Sequence, residues 1–319
     1  MKKILITGSN GMLGQKIVYG LLGDPYCRLP EDVARSIGQD AEIIATAKGE
    51  NRLRKKTGYT YEPLDITDRE QVQRVLARYR PDAVIHTAAM TNVDACELDQ
   101  AACRAANVEA VRHIVDAMKL HVPQAQLVHV STDFVFDGMK GGPYTEEDVP
   151  NPQSYYALSK HEGEKIVSSS GLKWAILRTI IVYCVSDDSS RSNLVLWVKN
   201  NLEKGQKINV ITDQFRAPTL SEDLAQACIT AAMRGVSGIY HTSGPETHSI
   251  IDLAYMIADF WKLDRSFINP VTSLQLNQPA RRPPRTGFVI DKARRDLSYS
   301  PRSFPEGLAV VDAQLKQRR

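Results

Sequence analysis

The stretch Lys2-Lys3-Ile4-Leu5-Ile6-Thr7-Gly8-Ser9-Asn10-Gly11-Met12-Leu13-Gly14 decides the fold of this chain. A short apolar run ends in three glycines spaced three apart, the pattern required where a strand turns sharply into a helix against a bound dinucleotide. A Cβ at these positions would obstruct the turn, the approach of a pyrophosphate or the contact between helix and strand. The first helical N–H groups then face the phosphates. Gly8, Asn10, Gly11, Met12 and Gly14 are therefore the first candidate cofactor-binding residues.

Outward from this turn, short β-rich runs alternate with helical segments through the first two-thirds of the chain. That is the pattern of an α/β fold with a doubly wound parallel sheet of Rossmann type. Strands are expected at Lys2 to Ile6, Glu42 to Thr46, Thr60 to Leu64, Ala83 to Thr87, Leu127 to Ser131, Trp174 to Leu177 and Ile208 to Ile211. Thr67 with Glu70 reads as a capping box, opening a helix that stops before Pro81. A longer helix should cover Leu98 to Leu120. Past Arg178 the alternation weakens. A serine-rich loop, Ser186 to Asn193, leads to an amphipathic stretch at Leu194 to Leu202, with helices expected at Ser221 to Met233 and Ile250 to Trp261. Pro279 to Thr286 fits neither class. The expected division is a dinucleotide-binding domain over 1–180, to which 207–240 return, and a smaller C-terminal substrate-binding domain over 181–319.

A chain of 319 residues can build such a core without metal or disulfide. Forty Lys and Arg against 37 Asp and Glu leave a formal charge of +3, which gives no support for a nucleic-acid or membrane partner. Cys27, Cys96, Cys103, Cys184 and Cys228 form an odd set without a CxxC pair, arguing against a disulfide framework and a zinc site. The seven histidines lack metal-ligand spacing, so no metal is expected. The apolar stretch behind Lys2 and Lys3 is too short for a signal peptide, and no window has the length of a bilayer span. The expected compartment is the cytoplasm. The basic end, Lys316 to Arg319, reads as frayed.

Asp65-Ile66 after the third strand and Thr87-Ala88-Ala89 after the fourth, with Thr91 beyond, extend the cofactor site. Asp65 can accept a hydrogen bond from an adenine amino group, and the small residues let a cofactor lie against the backbone. The end of the second strand chooses the coenzyme: an acid there takes the ribose 2′-OH, whereas a cation holds a 2′-phosphate. Thr46-Ala47-Lys48, followed by Arg52 and Arg54, points to NADP(H), with Lys48 and Arg52 on the phosphate and NAD(H) left open.

Far downstream, Tyr156 and Lys160 stand one helical turn apart, after an Asn151-Pro152 that would open their helix. A free tyrosine titrates near 10, so proton transfer near neutrality needs a lowering of roughly 3 pH units, or about 4 kcal/mol. An ammonium on the same helix face supplies part of that and can hold a nicotinamide ribose. Ser131 and Thr132 at the end of the fifth strand point to opposite faces, and one of these hydroxyls can donate to a carbonyl oxygen becoming an alkoxide. Tyr155 is the competing phenol, five residues from Lys160. Arg281 and Arg282 could clamp a diphosphate, because guanidinium groups match phosphate oxygens bidentately.

Six segments together resemble the extended short-chain dehydrogenase/reductase superfamily and, within it, the dTDP-4-dehydrorhamnose reductase family. They are Gly8 to Gly14, Pro81 to Asp94, Ser131 to Gly138, Tyr156 to Lys160, Asp213 to Thr219 and Ala280 to Pro283, and the resemblance runs from Met1 to about Pro305. It implies reduction of a nucleotide-linked 4-keto sugar, dTDP-4-dehydrorhamnose above all, by hydride transfer from the nicotinamide. It also implies that Thr132, Tyr156 and Lys160 are the catalytic trio: Tyr156 gives the proton, Lys160 holds the phenol's pKa down and Thr132 orients the carbonyl, leaving Ser131 to packing. Val135, Phe136, Gln214 and the loop after Arg178 are implied to line the sugar-nucleotide pocket. A homodimer stays open.

The chain also departs from that family. Members commonly carry serine and tryptophan before Val-Tyr in the segment after Arg178, whereas this chain reads Thr179-Ile-Ile-Val-Tyr183, so Ile181 stands where a tryptophan would pack on the sugar. The stretch Gly23 to Ala41 is longer than the family's first helix and turn. Two other functions fit the scaffold. One is a sugar-nucleotide epimerase or 4,6-dehydratase, although dehydratases follow the threonine with Asp-Glu and here Asp133 precedes Phe134. The other is a non-catalytic NADP-binding regulator like the β subunit of methionine adenosyltransferase.

Overall fold

The structure is a computed structural model that describes residues 2–38, 41–188 and 192–318. Its strands in chain order are β1 (Lys3–Thr7), β2 (Glu42–Ala47), β3 (Thr60–Pro63), β4 (Ala83–His86), β5 (Gln126–Thr132), β6 (Lys173–Thr179), β7 (Val182–Tyr183), β8 (Ile208–Ile211), β9 (Phe215–Arg216), β10 (Thr219–Leu220), β11 (Gly238–His241), β12 (His248–Ser249) and β13 (Ile268–Val271). Seven of them form a sheet in the order β11-β6-β5-β4-β1-β2-β3, with every pairing parallel. β1 lies between β2 and β4, so the strand order reverses beside it and a crevice opens at the carboxyl ends of these strands.

Alternation along β1 builds both faces of the core. Ile4 and Ile6 pack with Ile17 of α1 (Met12–Leu21), and on the same side lie Val33 of α2 (Glu31–Ile37) and Leu224 and Cys228 of a later helix, Ser221–Arg234. Leu5 faces the other side with Val72 and Leu76 of α3 (Arg69–Tyr79). Burial on both faces is why these strands read as nearly continuous apolar runs.

The helix expected over Leu98 to Leu120 is instead several pieces: α4 (Val93–Leu98), α5 (Gln100–Arg104), a π-helical turn at Ala105–Glu109 and α6 (Ala110–His121). Asn92 and Asp99 accept the N–H groups of Ala95 and Ala102, each side chain starting a new helix. In the π turn, Asn107 bonds both the N–H and the carbonyl of Met90. The cap of α3 is Asp68, not Thr67: its carboxylate accepts from the N–H of Gln71 at 3.0 Å, while the Thr67 hydroxyl donates to Asp65 at 2.7 Å.

α7 (Tyr155–Ser168) leads to β6, and α8 (Leu194–Glu203) begins the C-terminal lobe. The strand expected at Ile208–Ile211 forms, but pairs with β13 outside the large sheet. The place beside β6 belongs to β11, so what 207–240 contribute around the large sheet is α9 (Ser221–Arg234) and the start of β11. α10 (Ile250–Phe260), α11 (Ser273–Leu276), α12 (Asp291–Leu297) and α13 (Phe304–Lys316) complete the chain. Val198 of α8, Val210 of β8, Leu253 and Ile257 of α10 and Leu308 and Val311 of α13 make a separate apolar cluster.

Residues 39–40 of the first long stretch, 189–191 of the serine-rich loop and Arg319 lie outside the described residues. Up to residue 318 the basic end is not frayed, because the Arg318 guanidinium donates to Asp187 at 2.7 Å. A buried joint ties α1 to the C-terminal lobe: the Lys16 ammonium is 2.9 Å from Glu222 and donates to Gln314, whose amide donates back to Glu222 at 2.6 Å. Among the described residues no helix is long and apolar enough to cross a membrane, and no cluster of acidic, His and Cys side chains has a metal-ligand arrangement.

Candidate active site

The crevice at the strand ends is a cleft of about 760 Å³. Gly8, Asn10, Gly11, Met12 and Gly14 all line it, as do Lys48, Arg52, Asp65, Ile66, Ala88, Ala89, Thr91, Thr132, Tyr156 and Lys160. Gly8 has φ +74°, and a Cβ there would stand 2.8 Å from the backbone of Ala88. At Gly14 a Cβ would meet the carbonyl oxygen of Gly8 at 2.2 Å. Gly11 is the N-cap of α1 and offers no side-chain cap, so the first N–H groups of the helix stay available to an anion. This cradle fits a dinucleotide pyrophosphate.

At the β2 and β3 end, the exposed Lys48 ammonium is 2.7 Å from Asp65, and Arg52 pairs with Asp188 at 3.0 Å. Burial pushes the Asp65 carboxyl up, but its bonds from Lys48 and Thr67 outweigh this and hold it below the usual range. Asn10 reaches further than its position in the glycine turn suggests. Its amide donates to the Glu50 carbonyl at 2.8 Å and its oxygen accepts the Arg52 N–H at 2.9 Å, which fixes the basic loop against the turn.

At the β5 end, α7 opens on Ser154, whose hydroxyl accepts from the Ala157 N–H at 3.3 Å, and not on Asn151-Pro152. Tyr156 and Lys160 then face the cleft and Tyr155 does not. Thr132, at the end of β5, lines the cleft together with Tyr156. Thr132 Oγ1 donates to Asp133 at 3.1 Å and accepts the N–H of Phe134 at 3.2 Å. Burial pushes the Tyr156 phenol above its ordinary value, and the nearby Asp133 adds to this while Thr132 opposes it.

Lys160 points its ammonium at β5. Nζ donates to the Val130 carbonyl at 2.8 Å and lies 3.5 Å from His129 Nε2. Burial pulls the Lys160 pKa down to about 8, against the opposing charges of Glu164 and Cys103. Burial, with the Asp133 charge nearby, keeps Tyr156 protonated, an acid ready for a developing alkoxide.

The substrate end differs from expectation. Val135 and Phe136 do not line the cleft; both are fully buried in the core, where Phe136 stacks on Tyr144 at 4.1 Å between ring centres. A 3-10 turn at Asp133–Val135 breaks the strand alternation and delivers Asp133 and Phe134 to the cleft instead. Gln214 is buried beside Arg216 at 3.5 Å and also stays out of the cleft.

Arg281 is exposed and outside the cleft, and the clamp with Arg282 does not assemble. The reason is local: Arg282 makes a two-pronged bond to Asp94 at 3.0 and 2.7 Å and the Ala280 N–H binds the same carboxylate, which leaves Arg281 on the outer side. Ile181 does line the cleft, with φ +31°, a backbone conformation that costs a β-branched residue of order 1–3 kcal/mol. Met90, Val93 and Val182 also line it; only their closeness to the Thr87 and Arg178 strand ends signals them in the sequence.

Residues 1–316 match the family described as RmlD substrate binding domain. The chain is 28% identical to dTDP-4-dehydrorhamnose reductase of Aggregatibacter actinomycetemcomitans, covering 98% of this chain and 99% of that protein. It is 28% identical to methionine adenosyltransferase 2 subunit beta of Rattus norvegicus, over 85% of this chain and 75% of that one. Among solved structures, dTDP-4-dehydrorhamnose reductase of Bacillus anthracis in complex with NADP is similar with TM-score 0.80 and 27% identity, covering 98% of this chain and 100% of that one. A match from the glycine turn through the last helix leaves no part of the fold unaccounted for, and the chain belongs to the RmlD substrate binding domain family.

Proposed function

We propose that the protein is an NADPH-dependent reductase that converts the 4-keto group of a nucleotide-linked sugar to an alcohol, with dTDP-4-dehydrorhamnose as the best-fitting substrate and dTDP-rhamnose as product. The observation that carries this reading is that Thr132, Tyr156 and Lys160 line one end of a cleft whose other end holds Lys48 and Arg52. Bound NADPH supplies the hydride for the carbonyl carbon. Tyr156 gives its phenol proton to the oxygen of that carbonyl, and Thr132 holds the oxygen in place. Lys160 steadies the phenolate that remains and binds the nicotinamide ribose.

Gly8, Asn10, Gly11, Met12 and Gly14 would hold the pyrophosphate, Asp65 and Ile66 the adenine, and Ala88, Ala89 and Thr91 the middle of the cofactor. Lys48 and Arg52 would take the 2′-phosphate, so that NAD(H) serves less well. The substrate lies between Phe134, Ile181 and the C-terminal lobe built around α8, α10 and α13. Under the same reading the protein works in the cytoplasm, in keeping with five buried free cysteines, without a nucleic-acid partner and with a homodimer open to test.

The test is a panel of nucleotide-linked 4-keto sugars with NADPH and NADH. NADPH oxidation that disappears in Tyr156→Phe, with NADPH binding retained, supports the reading. Tight NADPH binding without turnover on any member of the panel would favour a regulatory subunit instead.

A further inference from the structure

Two of the sequence segments, Asp213 to Thr219 and Ala280 to Pro283, supply no direct contact to the cleft, yet the chain around them meets immediately behind it. The Phe215 N–H donates to the Pro284 carbonyl at 2.8 Å and the Thr286 N–H to the Phe215 carbonyl at 3.0 Å. Arg216 closes this junction and is only 1% exposed. Its guanidinium donates to the carbonyls of Phe215 at 2.7 Å, Pro283 at 2.5 Å and Pro284 at 3.3 Å.

The same guanidinium faces the reacting end. Its Nε stands 3.7 Å from Asp133 Oδ2, an oxygen that also accepts the Thr286 hydroxyl at 2.5 Å. Asp133, 2% exposed, spends its other oxygen on the Thr132 hydroxyl at 3.1 Å. Arg216 also lies 5.5 Å from the ring centre of Phe134, which meets Tyr156 edge-on at 6.0 Å. A carboxylate this deeply buried stays ionised only with a cation and donors beside it. Burial pushes Asp133 up, and Arg216, Thr286 and Thr132 are the groups that oppose it.

Holding two loops together would need only the carbonyl bonds of Arg216. The carboxylate between that cation and the Thr132 hydroxyl does something else: by accepting that hydroxyl it sets where Oγ1 sits in the cleft that Tyr156 also lines. We propose that Arg216 is a positioning residue that acts through Asp133 to place the Thr132 hydroxyl and the Phe134 wall for hydride transfer, without touching substrate or cofactor. This inference rests on the reductase reading above. It assigns to the 213–219 and 280–286 segments control of the chemical step in place of a grip on the substrate.

The experiment compares Arg216→Met, Arg216→Lys, Thr286→Val, Asp133→Asn and the Arg216→Met/Asp133→Asn double variant, using NADPH and whichever 4-keto nucleotide sugar the unsubstituted protein reduces fastest. Arg216→Met should lower kcat by about tenfold to a hundredfold, with the Kd of NADPH changed by less than about twofold. Arg216→Lys should recover part of that loss. The double variant should cost little more than Arg216→Met alone, because both changes act on one carboxylate. The isotope effect with C4-deuterated NADPH should rise as the chemical step slows.

Thr286→Val removes one donor to Asp133 without stranding a cation, so it carries the test if Arg216→Met fails to fold; a kcat lowered about threefold or more is expected. Unchanged kcat in a folded Arg216 or Thr286 variant, or fully additive losses in the double variant, would overturn the inference. Failure of the reductase reading looks different: the unsubstituted protein itself would oxidise NADPH with none of the sugars, and the inference would fall with it.

Discussion

Glu164→Gln is the perturbation whose size follows most directly from the structure. Glu164 lies on α7 one turn beyond Lys160 and accepts both arms of Arg178, Nε at 2.9 Å and Nη2 at 2.8 Å, with both side chains buried. Burial pushes the Glu164 carboxyl up, but the Arg178 bonds and charge, with His161 3.5 Å away, outweigh it and hold the group at about 2, against an ordinary 4.5. That displacement is worth about 3 kcal/mol at neutral pH. An independent route agrees, since removing one partner of a buried ion pair costs roughly 3–5 kcal/mol by stranding the other. Arg178 already has one nitrogen, Nη1, without a partner, and its guanidinium lies over the Phe136 ring at 5.0 Å. A lowered carboxylate pKa gives stability that is complete above about pH 4.5 and is lost as pH falls through about 2. Urea unfolding of both proteins at pH 7 should therefore differ by about 3 kcal/mol, and the difference should shrink by about half by pH 3. A loss under about 1 kcal/mol, or a difference that does not move with pH, would refute the argument.

Other outcomes follow from the same geometry. Because burial brings Lys160 to about 8, kcat/KM should fall as pH rises through that value and its ammonium is lost, and the limb should move lower in Glu164→Gln, which removes a charge that supports it. A flat profile from pH 6.5 to about 9.5 counts against a role for that ammonium. Lys48→Ala and Arg52→Ala should each weaken NADPH binding about tenfold and leave NADH binding nearly unchanged; equal losses for both coenzymes would remove these cations from the 2′-phosphate. Gly14→Ala places a methyl 2.2 Å from the Gly8 carbonyl oxygen, so the turn must shift, with lower Tm and weaker NADPH binding in calorimetry. Arg281→Ala should leave the KM for the nucleotide sugar unchanged, whereas Arg282→Ala, which frees Asp94, should raise it.

The cofactor half of the site was legible because its determinants are local. Gly8 and Gly14 are dictated by a turn within seven residues, and the four-residue step from Tyr156 to Lys160 is a property of any helix. The substrate half depends on contacts between distant segments. Phe134 and Phe136 exchange roles through one 3-10 turn, and nothing in a run of apolar residues announces where strand alternation stops. Ile208–Ile211 and Gly238–His241 are equally short, and which of them joins the large sheet is settled by partners, β13 for one and β6 for the other. Arg282 and Arg281 are adjacent arginines that only the position of Asp94 tells apart.

The joint of Lys16, Glu222 and Gln314 makes the helix behind the glycine turn depend on the last helix of the chain. During synthesis Lys16 can meet Glu222 first, and the buried triad closes only once residue 314 has emerged. A cut at residue 180 would therefore yield an amino-terminal fragment that keeps most of the cleft lining but carries an unpartnered cation on its inner helix. The first helix and the last thus share one buried polar anchor, so loss of either end of the chain is felt at the other.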